Sequence, residues 1–294
     1  MTLKEAYQYG QAALKAVGNE AYHLDAFYLL EHVSGKSRAQ YYLHENQELG
    51  DQKQKVYQGL ICKRAKGIPL QHLLGVQAFM GLTFQVSPHV LIPRQDTEVL
   101  VETALGIVKE TLHSYDNNKP FRILDMCTGS ACVILSILHY VQKDFVLGVG
   151  VDISEKALEV ARQNKESLGI KVDLIQSDLF EQMQDTYQMI VSNPPYIKTA
   201  EIESLSVEVR EHDPMLALDG KADGLFFYRK IVKQSFVYLE PGGYLIFEIG
   251  SEQGIAVKQF MKEAGFGKIE VIKDLAGRDR VVLGRKDSER CLTV

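Results

Sequence analysis

Hydrophobic positions change their spacing twice along this chain, and the changes divide it into three stretches. From Thr2 to about Gly75 the spacing is helical. Leu3, Ala6, Tyr7, Leu14 and Val17 fall on one stripe, Thr2 with Glu5 three residues later makes a capping-box pattern, and Gly18 supplies a stop. A second helix is predicted from about Ala21 to Val33, closed by Ser34-Gly35, and a third from Asp51 to Ala65, closed by Gly67-Ile68-Pro69. Residues 1–75 therefore read as a small all-α domain. Its histidines, His23, His32, His44 and His72, have no partners at catalytic spacing, so substrate recognition is the role left to it. Over residues 76–90 the period shortens to two in Leu82-Thr83-Phe84-Gln85-Val86, after Met80-Gly81, which predicts a β-hairpin linker.

Residues 91–294 alternate helix and strand. Helices are predicted from about Thr97 to Leu112, through Val133 to Leu138, from Glu155 to Leu168 and near Glu252 to Ala264. Strands are predicted at Arg122 to Asp125, Val146 to Asp152, Val172 to Ile175, Met189 to Ser192, Tyr244 to Ile249, Ile269 to Ile272 and Arg280 to Leu283. A turn at Pro241-Gly242-Gly243 is expected before the fifth of these, following a long connection. Such alternation predicts an α/β fold with a doubly wound, mostly parallel sheet.

With 294 residues, 46% of them hydrophobic, the chain can fill about two domains of ~150 residues. A net charge of −5 argues against binding nucleic acid by dense phosphate neutralisation. No run approaches ~18 apolar residues, and Met1-Thr2-Leu3-Lys4-Glu5 lacks the basic start and apolar core of a signal peptide. No membrane partner is expected, and the cytoplasm is the expected location. Cys62, Cys127, Cys132 and Cys291 have no spacing suited to zinc or disulfides, so reduced structural thiols and no metal are expected.

In an open α/β sheet the ligand crevice lies at the carboxyl ends of the strands. Four strand ends here carry chemistry. The turn Asp125-Met126-Cys127-Thr128-Gly129-Ser130-Ala131 leads from a strand into a helix and can bring backbone N–H groups against a ligand, although Gly129 is its only glycine. Asp152 ends the next strand, where a carboxylate can accept both hydroxyls of a ribose. Asp178, with Leu179 beside it, is placed to accept from an adenine amino group. Taken singly, each Asp is more often a cap or turn residue. The fourth end is Asn193-Pro194-Pro195-Tyr196. Prolines lack N–H donors, so the loop offers acceptors in a stiff frame: the Asn193 side-chain oxygen and the Pro194 carbonyl can take both hydrogens of a planar NH2 group. Tyr196 can lie on its π-face. A proline turn leaving a strand would use the same four residues. Together the four ends describe a nucleoside-bearing cofactor with no phosphate grip, its reactive centre beside Asn193; S-adenosylmethionine fits, leaving S-adenosylhomocysteine as product.

These residues resemble the HemK/PrmC-type protein-glutamine methyltransferases over nearly the whole chain. The resemblance is carried by Gly81-Leu82-Thr83-Phe84, Val90-Leu91-Ile92-Pro93-Arg94-Gln95-Asp96-Thr97-Glu98, Val151-Asp152-Ile153-Ser154 and Ser192-Asn193-Pro194-Pro195-Tyr196-Ile197. Asp213-Pro214, Leu216-Ala217-Leu218, Asp223-Gly224-Leu225, Tyr228-Arg229 and Asp274-Leu275-Ala276-Gly277-Arg278-Asp279-Arg280 add to it. It implies a seven-stranded class I methyltransferase domain that methylates the glutamine side-chain amide in the Gly-Gly-Gln loop of class 1 peptide-chain release factors. Asn193, Pro194 and Tyr196 would be catalytic, and Pro195 would join them in binding substrate. Arg94 and Glu98 would support the site, though one helical turn apart they could equally form a surface ion pair. The chain departs from the family at Cys127 and Ala131, where glycine is usual; if either position needs a positive φ, its Cβ costs about a kcal/mol or more. Two other readings stay open. An adenine-amino DNA or RNA methyltransferase would offer the same NH2 geometry after base flipping, and a cofactor-binding adaptor without activity would carry the same nucleoside site.

Overall fold

The computed structural model describes residues 1–287. The described chain forms two compact units, one made of Met1–Val76 with Ser206–His212, the other of Gln77–Leu205 with residues 213–287.

In the first unit α1 (Leu3–Ala16), α2 (Tyr22–Ser34), α3 (Arg38–Leu43), α4 (Asp51–Ala65) and α5 (Leu70–Leu74) enclose Leu3, Leu14, Leu29, Leu30, Tyr57 and Ile61. The Thr2–Glu5 capping box is formed in both directions, and Gly35, in the left-handed region, closes α2. The short α3 is missing from the sequence reading, although Ser37 and Gln40 make a capping box of their own. Ser-x-x-Gln was the available signal. Arg64 is buried between Asp25 at 2.7 Å and Glu208 at 2.6 Å, so the 206–212 segment is tied to the helices of this unit by a charge pair.

The second unit begins at the hairpin of β1 (Val76–Phe79) and β2 (Leu82–Gln85). Met80 and Gly81 have φ of 50° and 70°, the left-handed pair that a two-residue hairpin turn needs to match strand twist. There follow α6 (Glu98–Leu112), β3 (Phe121–Met126), α7 (Cys132–Val141), β4 (Val146–Asp152), α8 (Glu155–Leu168), β5 (Asp173–Gln176) and β6 (Tyr187–Ser192). The connection to β7 (Leu239–Glu248) holds α9 (Val207–His212), α10 (Met215–Leu218) and α11 (Phe226–Tyr238); α12 (Gly254–Glu263), β8 (Phe266–Lys273) and β9 (Asp279–Lys286) complete the fold. The seven strands are ordered β5-β4-β3-β6-β7-β9-β8, with β9 antiparallel to both its neighbours and the other pairings parallel.

Alternate side chains build the two layers of the core. Ile123, Met189, Val191 and Ile246 pack with α6 and α7, while Leu124, Ile190, Leu245 and Phe247 pack with α11 and α12. Both faces are covered, as parallel sheets require. Chain order leaves β3 on one side toward β4 and β5, then returns to place β6 on its other side. The carboxyl ends of β3 and β6 thus flank the crevice where the winding reverses, and that puts the Asp125 turn beside Asn193.

Candidate active site

A cleft of about 1160 Å³, its open mouth included, lies over these strand ends. Cys127, Thr128, Gly129, Ser130, Asp152, Asp178, Leu179, Asn193, Pro195 and Arg94 line it; Ala131, Pro194, Tyr196 and Glu98 do not.

The turn after β3 is organised by Asp125. This carboxyl is 1% exposed and accepts from the Thr128 hydroxyl at 2.6 Å and the Ile134 N–H at 3.3 Å. Burial pushes it up to about 7 despite those bonds. Cys127, Gly129 and Ala131 have φ of 62°, 55° and 63°. Two non-glycine residues therefore hold left-handed backbone, at about 1–2 kcal/mol each, and Ala131 does so fully buried at the start of α7.

Asp152 faces the cleft with its two carboxylate oxygens held by backbone donors, Gly129 N–H on one at 2.9 Å and Ser154 N–H on the other at 2.9 Å. Every such oxygen keeps a second lone pair, so two further hydroxyls can be accepted at once. Desolvation raises its pKa, and the backbone donors oppose the shift. Asp178 is exposed, and Leu179 beside it is buried with φ of 50°. Asn164, fully buried on α8, was overlooked by sequence reasoning. Its amide donates to the carbonyls of Ser130 and Gln85 and accepts the Gln85 N–H, so it clasps the turn after β3 to the hairpin. No local pattern marks it, because its three partners lie far away in sequence.

The Asn193-Pro194-Pro195-Tyr196 loop is held from several sides. Ser192 donates to the Met126 carbonyl at 2.6 Å, which joins the ends of β6 and β3. The Tyr196 carbonyl accepts from Gln253 at 3.0 Å, and the same amide reaches the Gly224 carbonyl at 3.1 Å. Gly224 has φ of 72°, and a Cβ there would stand 2.4 Å from the Tyr196 carbonyl oxygen; one on Gly220 would stand 2.7 Å from the Tyr196 Cα. Glycine at both positions is what lets this segment lie against the loop backbone. Asn193 turns its amide nitrogen toward the Thr97 hydroxyl at 3.4 Å. The Tyr196 hydroxyl stands 3.5 Å from Glu248, and burial pushes its pKa up. Glu248, at the end of β7 and 2% exposed, is marked in the sequence only as part of a strand. Arg94 and Glu98 have separate partners: Arg94 pairs with the buried Asp213 at 2.6 Å, and Glu98 accepts the Met80 N–H at 2.7 Å. Among the described residues no group of His, Cys, Asp and Glu is arranged to hold a metal ion.

Family models match the chain in two places, a PrmC N-terminal domain over residues 5–75 and a methyltransferase small domain over residues 107–210. A release factor glutamine methyltransferase of Geobacter sulfurreducens is 39% identical over 97% of this chain and 96% of its own length. One from Clostridium botulinum is 37% identical over 97% of this chain and all of its own. The chain belongs to the release factor glutamine methyltransferase family. A solved T. thermophilus 16S rRNA methyltransferase, in complex with AdoMet and guanosine, shares the fold at TM-score 0.50 and 16% identity, over 72% of this chain and 49% of that one.

The family segments converge through Arg280. Its guanidinium pairs with Asp96 at 2.9 Å and Asp274 at 3.2 Å and donates to the Ile249 carbonyl. Asp274 in turn accepts the N–H groups of Ala276 and Arg278. The segment from Asp274 to Arg280 is thereby joined to the segment carrying Asp96 and Thr97, whose hydroxyl meets Asn193. Pro214, Leu216 and Ala217 wall the cleft itself.

Proposed function

We propose that this protein transfers the methyl group of S-adenosylmethionine to the side-chain amide nitrogen of the glutamine in the Gly-Gly-Gln loop of class 1 release factors, in the cytoplasm. The observation that carries the reading is Asn193 at the end of β6, on a donor-poor loop, lining a cleft shared with Asp152. Relatives named for this reaction match essentially end to end.

The cleft suits S-adenosylmethionine by the chemistry of its lining. Asp125, Asp152 and Asp178 give it an acidic cast, and Arg94 is already engaged by Asp213. When bound, the cofactor supplies an electrophilic methyl on a cationic sulfonium. Asp152 would hold the ribose hydroxyls and Asp178 the adenine amino group, with residues 127–131 and Leu179 closing around them. An amide nitrogen is a poor nucleophile because its lone pair is delocalised into the carbonyl. Acceptance of its two hydrogens by Asn193 Oδ1 and the Pro194 carbonyl moves electron density toward nitrogen and aims it, each oriented bond being worth about 3–4 kcal/mol of barrier. Pro195 bounds the substrate side of the cleft, and Tyr196, which does not line it, holds the loop from behind with its hydroxyl toward Glu248 rather than stacking on the amide. Arg94 supports this wall through Asp213, and Glu98 supports it at one remove by holding the hairpin. Protein rather than nucleic acid is the substrate, in keeping with the net charge of −5.

Labelled methyl transfer tests the proposal. Purified class 1 release factor should take up label, and the same factor with its Gly-Gly-Gln glutamine changed to alanine should not. Label on duplex or single-stranded DNA would replace this function with adenine methylation. Asn193→Ala should lower kcat by about 10²-fold or more, as loss of an oriented hydrogen bond to a reacting group does, with cofactor affinity within a few-fold of the original. Equal losses in both would remove Asn193 from the substrate role.

A further inference from the structure

Glu248 closes β7, whose preceding residue Phe247 pairs with Ser192, and it thereby stands next to the strand end that carries Asn193. Across the sheet it pairs with Val281 of β9. A carboxyl this deeply buried is costly to keep charged without a cation on it. The nearest guanidinium, Arg280, spends its terminal nitrogens on Asp96, Asp274 and the Ile249 carbonyl. Among the described residues Glu248 Oε2 makes no hydrogen bond of good geometry, and neither does Arg280 Nε. Glu248 is faced instead by the Thr97 hydroxyl and the Asn193 amide, both of which favour its charged form, and by the Tyr196 hydroxyl. From α11, Tyr228 donates to its backbone carbonyl at 3.0 Å. A residue serving packing alone at this place would be apolar.

We infer that Glu248 is a positioning residue for methyl transfer, acting with Thr97 to hold the Asn193 amide with its nitrogen turned inward and its oxygen in the cleft. The inference rests on the proposed role of Asn193 as the acceptor for the substrate amide. A carboxylate only accepts, so it selects the NH2 end of Asn193 and rejects the oxygen end. Thr97 shares the same preference: its hydroxyl accepts from Asn193 at 3.4 Å, and the nearby hydroxyl favours the charged form of Glu248. Oδ1 is left toward the substrate, and the carboxylate behind the amide polarises it, which strengthens the bond Oδ1 makes. Protonation reverses the selection. A protonated Glu248 can donate to Oδ1, the amide can turn over, and an NH2 group then meets the substrate NH2, donor against donor.

Burial pushes Glu248 up to about 7, with Arg280 opposing the shift and Asp96 adding to it, so the switch falls within a workable range. The test is the pH dependence of kcat from about 5.5 to 9 with both substrates saturating, on the full chain and on Glu248→Gln, Thr97→Val, Thr97→Ser and Asn193→Ala. The full chain should gain activity as pH rises through about 7. Glu248→Gln should lose about 10²-fold in kcat, the size of effect that misplacing a reacting group produces, and should lose the acidic limb while its affinity for S-adenosylmethionine is kept. Thr97→Val should be impaired and Thr97→Ser should recover most of that loss. Should Glu248→Gln fail to fold, seen as loss of cofactor binding and of the unfolding transition, the threonine pair and the acidic limb of the full chain decide. Equal impairment of both threonine variants, or a full chain with no limb near neutral pH, overturns the inference. An inactive Asn193→Ala beside a fully active Glu248→Gln with an unchanged pH profile overturns this inference alone, whereas an active Asn193→Ala overturns the acceptor role on which it rests.

Discussion

Ala131 carries a methyl group where backbone geometry favours none. Its φ of 63° is the left-handed region, it is fully buried, and the same turn holds Cys127 at 62°. The turn keeps this geometry because Asp125 and Asp152 fix Thr128, Gly129 and Ile134 from two sides, a network that offsets local strain of about 1–2 kcal/mol per residue. A β-branched side chain has no comfortable rotamer there. Ala131→Val should therefore cost about 2 kcal/mol or more in denaturant unfolding and weaken cofactor binding with it, while Ala131→Gly should stay within about 1 kcal/mol, lost methyl burial offsetting relieved strain. Equal stability of the two variants would show that the turn adapts and that the strain is not retained. Glycine at such positions is visible in a sequence; a positive φ at Cys and Ala is not, because it is imposed by partners elsewhere.

Most elements were legible, and those that were not share a cause. The α1 helix and β4 strand fall where the sequence pattern places them, since α1 has a clear apolar stripe with a capping box and β4 is a continuous apolar run. The α11 helix lies within what the sequence presents as a long connection, although Tyr228, Ile231, Val232 and Ser235 are buried at helical spacing; its aromatic and β-branched residues obscure the period. Pro241-Gly242-Gly243, expected as a turn, lies inside β7 as a bulge. Leu239 and Tyr244, five residues apart, face Tyr187 and Met189, only two apart, and proline can occupy such a bulge because it needs no ladder donor. At this scale α8 matters beyond its burial, since Asn164 joins it to both the hairpin and the turn after β3. Asn164→Ala should cost about 2–4 kcal/mol, leaving the buried Ser130 carbonyl and the part-buried Gln85 N–H and carbonyl unpaired, and should weaken S-adenosylmethionine binding; calorimetric unfolding and titration read the two effects separately. Loss of stability with unchanged cofactor affinity would confine Asn164 to a scaffolding role.

For the whole molecule, the buried acids set how stability responds to pH. Asp125 and Glu248 are both pushed up to about 7 by burial, so the folded chain keeps protons that the unfolded chain has released. Their contribution to stability is full below the ordinary carboxyl range near pH 4 and is lost as pH rises through about 7. The unfolding midpoint should accordingly be higher at about pH 5.5 than at about pH 8, and Asp125→Asn or Glu248→Gln should each flatten that difference. A slope unchanged in both variants would assign it to other groups. Activity and stability then respond in opposite directions over the same interval, since the charged Glu248 that orients Asn193 is the form the folded core disfavours. No helix among the described residues is long and apolar enough to cross a membrane.

Sequence alone determined what is local: the capping box at Thr2, the alternation that makes an α/β sheet, the four strand ends in order, and a donor-poor Asn-Pro-Pro-Tyr loop after β6. These follow from periodicity, from the missing N–H of proline and from the short reach of caps. Only tertiary structure decided which ends meet. The reversal of winding between β3 and β6 sets the Asp125 turn beside Asn193, brings Glu248 from more than fifty residues downstream against it, and turns Glu98 away to the hairpin. Strand order and side-chain direction come from packing two apolar faces at once, and contacts made across such distances leave no period in the chain.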